Sequence, residues 1–408
     1  MSVSKLRFKR EDGTDYPEWE EKKISDICEP HARIGWQNLR TDEFLDEGDY
    51  YLVTGTDFLN GRVNFVTCHY IDRERFEQDK NIQITNGDIL ITKDGTLGKI
   101  ALVENMDKEG TLNAGVFVLQ NLTPNIYNLY LYQYLTAPYL LDFAFDKATG
   151  GTIKHLNQGI LVQFPVPIPC LEEQRKIADF LSAVDEVIAQ SEAEVQNLEQ
   201  QKKAAMQKIF SQEVRFKRED GTEYPEWKTD IVGNRITVYD KKVATNCTLP
   251  ILTSSKTNGI EYQSDHFGRE QNHDIDGYNV IPRGYATYRN RSDNRDFTFN
   301  INNICDEGII SKFYPVFTSY NCNLIFLIYL LNNSPSIVKE IGYTAIGTGQ
   351  KVLSISDFKS IKILIPDIEE QQKIADFLSA YDEAISYAKQ ELDKWKELKK
   401  GLLQQMFV

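Results

Sequence analysis

Two stretches of the chain carry apolar residues at alternating steps of four and three positions. Each series lasts for more than four heptads, which is typical of a helix that pairs with another helix along a seam. The apolar seam positions are Ile177, Leu181, Val184, Ile188, Val195 and Leu198 in the first stretch, and Ile374, Leu378, Tyr381, Ile385, Leu392 and Trp395 in the second. The pattern predicts two helices of about 40 residues, ~60 Å long, that pair with each other. We expect the pairing to be antiparallel, because that arrangement relates the two stretches by a two-fold axis.

One seam position is polar in both stretches, where Lys202 and Lys399 occur 197 positions apart. A single polar residue in such a seam can fix the register of the pair. An alternative remains open, in which each stripe packs only against its own domain. Domain-covering helices, however, are usually shorter and have a wider apolar face.

The start of each predicted helix is part of an internal repeat. "EEQRKIADFL" at residues 172–181 returns as "EEQQKIADFL" at residues 369–378. A second segment, which we call the strap, is "RFKREDGTDYPEW" at residues 7–19 and "RFKREDGTEYPEW" at residues 215–227. The order strap, long middle, helix therefore occurs twice, and the chain consists of two half-copies. If the halves are equivalent, Arg7 lies about as close to Phe407 as Arg215 lies to Phe210.

The middles between strap and helix have a mixed α/β pattern. The segment "GDILITKDGTLGKIALV" at residues 87–103 predicts a hairpin with a turn at "KDG". We predict an α+β protein with two globular α/β domains, joined by two long antiparallel coiled-coil helices in a pseudo-two-fold, circular arrangement. The predicted divisions are residues 1–170 for the first domain with its strap, 171–212 for the first helix, 213–366 for the second domain with its strap, and 367–408 for the second helix.

Composition narrows the class of protein. The six cysteines are never closer than 17 positions, which fits neither a zinc site nor a disulfide framework, so we expect no bound metal. The longest apolar run, residues 324–331, is too short to span a membrane, and the first residues do not resemble a signal peptide. These features predict a reduced, cytoplasmic protein. The net charge of −14 argues against a simple nucleic-acid binder.

One loop in the second middle has the chemistry of DNA contact. "YRNRSDNR" at residues 288–295 contains three arginines and two asparagines beside an aromatic residue. Arginine can bridge O6 and N7 of guanine, and asparagine can bridge N6 and N7 of adenine. The candidate DNA-binding residues are Tyr288, Arg289, Asn290, Arg291, Asn294 and Arg295. A solvated polar loop is the alternative that the sequence of this loop alone leaves open.

The first middle has lysines in place of this arginine-rich loop. Lys93 and Lys99 flank the "DGTLG" turn, and Lys154 lies in a glycine-rich stretch whose counterpart in the second half contains Lys351. These four lysines complete the set of candidate DNA-binding residues. The sequence does not separate contacts to bases from contacts to phosphates.

With its repeated straps, its "EEQ.KIADFL" helix starts and its "GDILITKDGTLGK" hairpin, the chain resembles the DNA-specificity subunit of type I restriction–modification enzymes over nearly its whole length. The resemblance implies that each middle is a target-recognition domain that reads one half of a bipartite double-stranded DNA site. It also implies that the helix pair sets the spacer and docks two methyltransferase subunits, which together with restriction subunits methylate adenine or cleave DNA. S-adenosylmethionine, ATP and Mg²⁺ are then cofactors of the partners, and this chain binds none.

Two other classes of function are weighed against this resemblance. An independent enzyme is disfavoured, because the chain has no Pro-Pro of an adenine-methyltransferase motif, no P-loop and no HExxH. We therefore expect no catalytic residue. A coiled-coil scaffold without direct DNA readout is the alternative function. The acidic helices are expected to face protein partners rather than phosphates, so that partner subunits supply much of the electrostatic affinity for DNA.

Overall fold

The polypeptide is organised in two units, one that contains both ends of the chain and one that is a single continuous segment. The computed structural model describes residues 6–35, 39–147, 155–243, 247–269, 274–347 and 349–407. Unit 1 comprises Met1–Glu192 with Gln390–Val408, and unit 2 comprises Ala193–Lys389. Each long helix therefore contributes one part to each unit.

The strands of unit 1 form two larger sheets and one two-stranded ribbon. Its strands are β1 Glu20–Lys23, β2 Cys28–His31, β3 Tyr50–Val53, β4 Phe58–Leu59, β5 Arg62–Val63, β6 His69–Ile71, β7 Gln83–Ile84, β8 Ile89–Thr92, β9 Ile100–Leu102, β10 Glu109–Leu112, β11 Val116–Asn121 and β12 Pro165–Ile168. Among the described residues the sheet orders are β2-β11-β8-β9-β5-β4, β6-β3-β10-β7 and β1-β12. The antiparallel β8–β9 pair is the hairpin predicted at residues 87–103, which is thereby confirmed.

Most helices of unit 1 share a core with the larger sheet, and one packs against the four-stranded sheet. The helices are α1 Ile24–Ile27, α2 Arg73–Glu77, α3 Asn128–Thr136, α4 Tyr139–Lys147, α5 Gln158–Leu161 and the first part of α6 Leu171–Phe210. Buried apolar residues from β8, β11 and α3 form one core with Ile177 and Leu181 of α6. The apolar seam of the long helix thus also closes the core of its own unit.

Unit 2 repeats this plan with shorter sheets. Its strands are β13 Lys228–Ile231, β14 Ile236–Tyr239, β15 Leu252–Ser255, β16 Gly259–Tyr262, β17 Asn279–Pro282, β18 Ala286–Tyr288, β19 Arg291–Ser292, β20 Phe299–Ile301, β21 Glu307–Ile310, β22 Val316–Ser319, β23 Lys351–Val352 and β24 Lys362–Ile365. The four-stranded sheet has the order β14-β22-β18-β20, and the β13–β24 ribbon matches the β1–β12 ribbon of unit 1. Its helices are α7 Gln263–Phe267, α8 Leu324–Asn333, α9 Pro335–Thr344, α10 Ile355–Ser360 and α11 Ile368–Met406.

The long helices pair antiparallel within each unit, as the seam predicts. In unit 1, Lys399 Nζ lies 2.5 Å from Asp185 Oδ1, and Lys396 Nζ lies 2.7 Å from Glu192 Oε1. In unit 2, Lys202 Nζ lies 2.5 Å from Asp382 Oδ1. Residue numbers rise along α6 while the numbers of their partners fall along α11, as they do in antiparallel helices. Each seam lysine thus has an aspartate on the opposite helix, and its side chain is only 15–17% exposed.

Most of the predicted seam residues are buried. Ile177, Leu181, Val184, Val195, Ile374, Leu378, Ile385 and Leu392 are less than one-tenth exposed. Ile188, Leu198, Tyr381 and Trp395 are half-buried.

The predicted proximity of the strap to the end of α11 is confirmed within unit 1. The backbone N–H of Leu6, next to Arg7, donates to the carbonyl of Gln405 at 3.1 Å. The corresponding bond in unit 2 runs from the N–H of Val214 to the carbonyl of Lys208, also at 3.1 Å. Phe407 packs in the core of unit 1 against Tyr130 and Tyr134.

Candidate nucleic-acid interface

A buried glutamate fastens the strap to the start of the long helix in unit 1. The guanidinium of Arg7 donates to both oxygens of Glu173, at 3.1 and 2.8 Å, and the indole N–H of Trp19 donates to the same carboxylate at 2.9 Å. Glu173 is fully buried, and its hydrogen bond to Arg7 raises the pKa of that guanidinium. Two segments that lie more than 150 positions apart are thereby held together by a charge-assisted, bidentate contact.

Unit 2 contains the same contact, and we call this arginine–glutamate–tryptophan contact the clamp of each unit. Arg215 donates to Glu370 at 3.2 and 2.8 Å, and Trp227 donates to Glu370 at 3.2 Å. Glu370 is also fully buried. The strap and the "EEQ" helix start are both repeated in the sequence because each segment contains one side of this contact. We call the straps and the two helix starts together the frame.

The glutamine that follows each buried glutamate also belongs to the frame. The side-chain oxygen of Gln174 accepts from the N–H of Tyr127 at 2.9 Å, and that of Gln371 accepts from the N–H of Asn323 at 2.9 Å. Tyr127 and Asn323 directly precede α3 and α8, whose first N–H groups have no partner within their own helix. The frame thus fixes where the packing helix of each unit begins.

In each unit a main-chain hydrogen bond holds a hairpin tip, and its donor is a leucine two positions after Lys154 or Lys351 in the repeated glycine-rich stretch. In unit 1 the N–H of Leu156 donates to the carbonyl of Lys93 at 2.9 Å. In unit 2 the N–H of Leu353 donates to the carbonyl of Asn290 at 3.0 Å. The two donors are 197 positions apart, and so are the two acceptors. The tips at residues 93–99 and 289–295, which we call the loops, therefore occupy equivalent places in their units.

The loop of unit 2 has exposed arginines, and the tyrosine that precedes them is buried. Arg289, Arg291 and Arg295 are exposed, and the guanidinium of Arg291 lies 4.1 Å from the ring centroid of Phe313. Arg295 has a left-handed backbone conformation, with φ at 64°. Tyr288 is fully buried, and its hydroxyl donates to the carbonyl of Leu353 at 3.2 Å. Tyr288 thus lies in the core beneath the arginines.

The remaining candidates in unit 2 lie close to this loop. Lys351 pairs with Ser292 across the β19–β23 ribbon, and its ammonium group donates to the carbonyl of Gly347. Asn294 Oδ1 accepts from the hydroxyl of Ser292 at 2.9 Å and so shapes the turn. Asn290 is half-buried, and its side-chain oxygen has no partner among the described residues. The structure therefore brings the arginine loop and Lys351 together.

A cavity of 770 Å³ lies between this loop and a second group of residues. Arg289, Arg291 and Phe313 line one part of it. Lys256, from the turn after β15, and His266, from α7, line another part.

The equivalent loop of unit 1 has different chemistry. Lys93 is half-buried, with its ammonium 5.8 Å from the ring centroid of Phe117, and Lys99 is exposed. His155 Nδ1 lies 2.5 Å from Asp94 Oδ1, and both side chains are well exposed. Lys154 lies outside the described residues. The positions of Asp94 and His155 correspond, 197 residues later, to Arg291 and Val352, so equivalent places carry unlike side chains.

Comparison with known proteins matches this duplicated plan. The sequence model of the family described as "Type I restriction modification DNA specificity domain" matches residues 16–200 and again residues 202–396. The chain belongs to this family. It is a type I restriction–modification specificity subunit, as the resemblance predicts.

Individual relatives share the whole length of this specificity subunit. Two proteins of Methanocaldococcus jannaschii, the type I restriction enzyme MjaVIII and MjaIX specificity subunits, are 26% and 24% identical to it. Each alignment covers 97% of this chain and 94% of the relative. The extent of these alignments agrees with one architecture for all three chains.

Solved structures agree with the fold. The crystal structure of the type I restriction–modification S subunit from M. genitalium has a TM-score of 0.59 at 15% identity, covering 100% of this chain and 99% of that one. A chain from a structural study of complex assembly in the type I R-M system has a TM-score of 0.54 at 16% identity, covering 96% and 98%. The predicted α+β architecture with two repeated domains and paired long helices is confirmed.

The described residues contain no cluster of three or more His, Cys, Asp or Glu residues placed to hold a metal ion. Within the same part of the specificity subunit, no helix combines the length and apolar character needed to cross a membrane.

Sequence reasoning missed several residues at this interface. Lys256, His266 and Phe267 reach the cavity from a hairpin and helix about 30 positions before the arginine loop. His155 follows Lys154 in the repeated glycine-rich stretch, and its contact with Asp94 joins positions 61 residues apart. The position of His155 next to a candidate lysine could have indicated its place at the candidate site. The sequence around His266 has no comparable density of basic residues and gave no such indication.

Proposed function

We propose that each unit of this specificity subunit reads one half of a bipartite double-stranded DNA site, and that the loops at residues 93–99 and 289–295 take part in the reading. The observation that carries the proposal is the equivalence of the two loops. Both are held by the same main-chain bond, from the equivalent leucines Leu156 and Leu353, yet one offers lysines with an Asp–His pair and the other offers arginines. Two loops that are attached in the same way but carry unlike side chains suit the recognition of two different DNA sequences.

The assignment of contacts follows from side-chain chemistry. In the second unit, the exposed Arg289, Arg291 and Arg295 are proposed to include a base-reading residue, because an arginine can bind O6 and N7 of guanine at once. Lys351, a compact cation at the base of the loop, is proposed to contact phosphate. In the first unit, Lys93, Lys99 and Lys154 are the proposed DNA contacts.

The paired helices are proposed to set the unread spacer and to dock two methyltransferase subunits. The frame repeats exposed side chains as well as buried ones. Packing within the chain does not require the exposed side chains to be the same in both halves. Glu11 and Glu219, both exposed at equivalent positions of the two straps, are one such pair. Two identical exposed surfaces suit two copies of one partner protein.

In this proposal the chain itself is not an enzyme. Methylation of adenine would use S-adenosylmethionine bound by the methyltransferase subunits, and cleavage would use ATP and Mg²⁺ bound by restriction subunits. The residues of this chain bind and orient DNA and its partners, in the cytoplasm. The acidic net charge agrees with this division, because cationic surfaces of the partners would supply much of the electrostatic affinity.

The test is the methylation motif made by the chain when it is assembled with its methyltransferase subunits. Arg289→Ala, Arg291→Ala and Arg295→Ala are compared with Arg283→Ala, which removes an exposed arginine of the same unit that pairs with Asp306 outside the loop. At least one loop variant is expected to relax one position of one half-site by ~1–3 kcal/mol, while the control leaves the motif unchanged.

Two results would contradict the proposal. If all three loop variants keep both half-sites at the full rate, the loop is only a solvated surface. If the methyltransferase subunits select the same sites without this chain, the chain is a coiled-coil scaffold, which is the alternative function.

A further inference from the structure

The cavity of unit 2 has a second group of lining residues, which come from outside the arginine loop and which we call the second wall. Gln263, His266 and Phe267 of α7 line it, together with Lys256 from the turn between β15 and β16. Half of the side chain of Phe267 is exposed, although it is a large apolar residue. This wall belongs to a hairpin and helix that have no arginine-rich motif.

The orientation of His266 is set by a neighbouring carboxylate. Its Nδ1 lies 2.9 Å from Oε1 of Glu261, whose own side chain is only 18% exposed. The amide of Asn258 also donates to Glu261, at 3.2 Å, and holds the carboxylate in place. A carboxylate accepts the proton of Nδ1, so in the neutral ring Nε2 is the acceptor. In its neutral form His266 can therefore accept a hydrogen bond through Nε2, and the residue lines the cavity.

The two walls differ in hydrogen-bonding character. Arg289 and Arg291 can only donate, whereas neutral His266 accepts through Nε2. In the major groove, guanine offers two acceptors, N7 and O6, and the cytosine paired with it offers one donor, the N4 amino group. A cavity lined both by arginine donors and by an imidazole that can accept matches the edge of a G·C pair.

We propose that His266 is a specificity-determining residue of the second unit, accepting from the N4 amino group of the cytosine whose guanine partner is bound by Arg289 or Arg291. This inference rests on the proposed function and adds a second reading wall to it. Glu261 is a positioning residue, because it acts through the ring of His266.

The experiment uses the whole chain assembled with its methyltransferase subunits and genomic DNA from a host without adenine methylation. Methylated motifs are determined by single-molecule sequencing for the unmodified chain and for His266→Ala, Arg289→Ala and Arg291→Ala. Ser264→Ala is the matched control, since Ser264 is exposed on the same helix and is not among the residues that line the cavity. The first half-site reports whether each variant is folded and assembled.

The expected result is that His266→Ala relaxes one G·C position of the second half-site by roughly tenfold, about 1.4 kcal/mol. It should be the same position that Arg289→Ala or Arg291→Ala relaxes, because both side chains are assigned to one base pair. Ser264→Ala should retain the full motif.

Three results would overturn the inference. They are an unchanged motif at an undiminished rate, a uniform loss of methylation with the motif unchanged, and relaxation of a different position. If the arginine variants relax the second half-site and His266→Ala does not, only this inference fails. If neither Arg289→Ala nor Arg291→Ala changes either half-site, this inference fails, and the role of the loop in the proposed function fails with it only if Arg295→Ala is also without effect.

Discussion

Removal of Arg7 tests how strongly the frame depends on its buried ion pair. In Arg7→Met the apolar stem of the side chain remains, but Glu173 keeps only the indole N–H of Trp19 as a partner from the strap. Removing one member of a buried pair usually costs about 3–5 kcal/mol, because the other charge is left buried. The side chain of Arg7 is itself 18% exposed, so water can reach part of the vacated space. We therefore expect a loss of ~2–4 kcal/mol in the local stability of unit 1.

The assay is amide hydrogen exchange followed by mass spectrometry, because a chain of two units does not have a single two-state unfolding free energy. Peptides from the start of α6 should exchange ~30- to 700-fold faster in Arg7→Met, since each 1.4 kcal/mol changes the open population about tenfold. Peptides of α11 around Glu370 in unit 2 should be unaffected. Arg215→Met should produce the opposite distribution.

Two further variants separate the charge from the shape of the side chain. Lys9→Ala removes a strap residue whose ion pair with Asp15 is mostly exposed, and it should change exchange by less than about twofold. Adding Glu173→Gln to Arg7→Met removes the stranded charge while keeping an acceptor for Trp19, and it should restore part of the lost protection. If Arg7→Met affects α6 no more than Lys9→Ala does, the pair is as weak as a surface salt bridge and the account of the frame is wrong.

Three other predictions concern the spacer, the phosphate contact and the thiols. One heptad inserted into both long helices, between Glu192 and Ala193 and between Lys389 and Gln390, adds ~10.5 Å. The methylated motif should then have a spacer longer by about three base pairs with both half-sites unchanged, and altered half-sites would contradict the division of labour. Lys351→Ala should weaken DNA binding at all sequences and reduce the slope of log K against log salt by about one, measured by fluorescence anisotropy of the assembled complex; a changed motif would instead assign Lys351 to a base. Burial raises the pKa of Cys28 and of Cys322 to about 12. At pH 8 the thiolate form of these residues is rare, so in the native chain iodoacetamide should alkylate them at least ~100-fold more slowly than in the unfolded chain, as peptide mass spectrometry would show.

The sequence predicted features that depend on period and repetition. The antiparallel helix pair followed from apolar steps of four and three, and the partnership of Lys202 and Lys399 with aspartates agrees with a role in register. The hairpin at residues 87–103 followed from its alternating pattern and turn residues. These signals are local, because each is contained in a few tens of residues.

Contacts between distant segments could not be predicted in this way. Nothing near Arg7 indicates that its partner is Glu173, 166 positions later. Only the joint repetition of strap and helix start connected the two segments, and it gave no residue pairs. Tyr288 was grouped with its arginine neighbours on composition, although alternation along β18 turns its ring into the core. His266 enters the cavity from another hairpin, and that proximity is set by the tertiary fold.

The bond that holds each loop to Leu156 or Leu353 involves only main-chain atoms. The carbonyls of Lys93 and Asn290 accept in the same way although their side chains are unlike, so the attachment does not depend on which residues the tip contains. Mutations in the loop therefore escape most of the stability cost that mutations of the buried clamp would impose. A lineage carrying such a chain can explore new DNA preferences by point substitution at the tips while selection holds the clamp constant. The fold thus separates loop residues, which tolerate substitution, from the buried residues of the clamp, which do not.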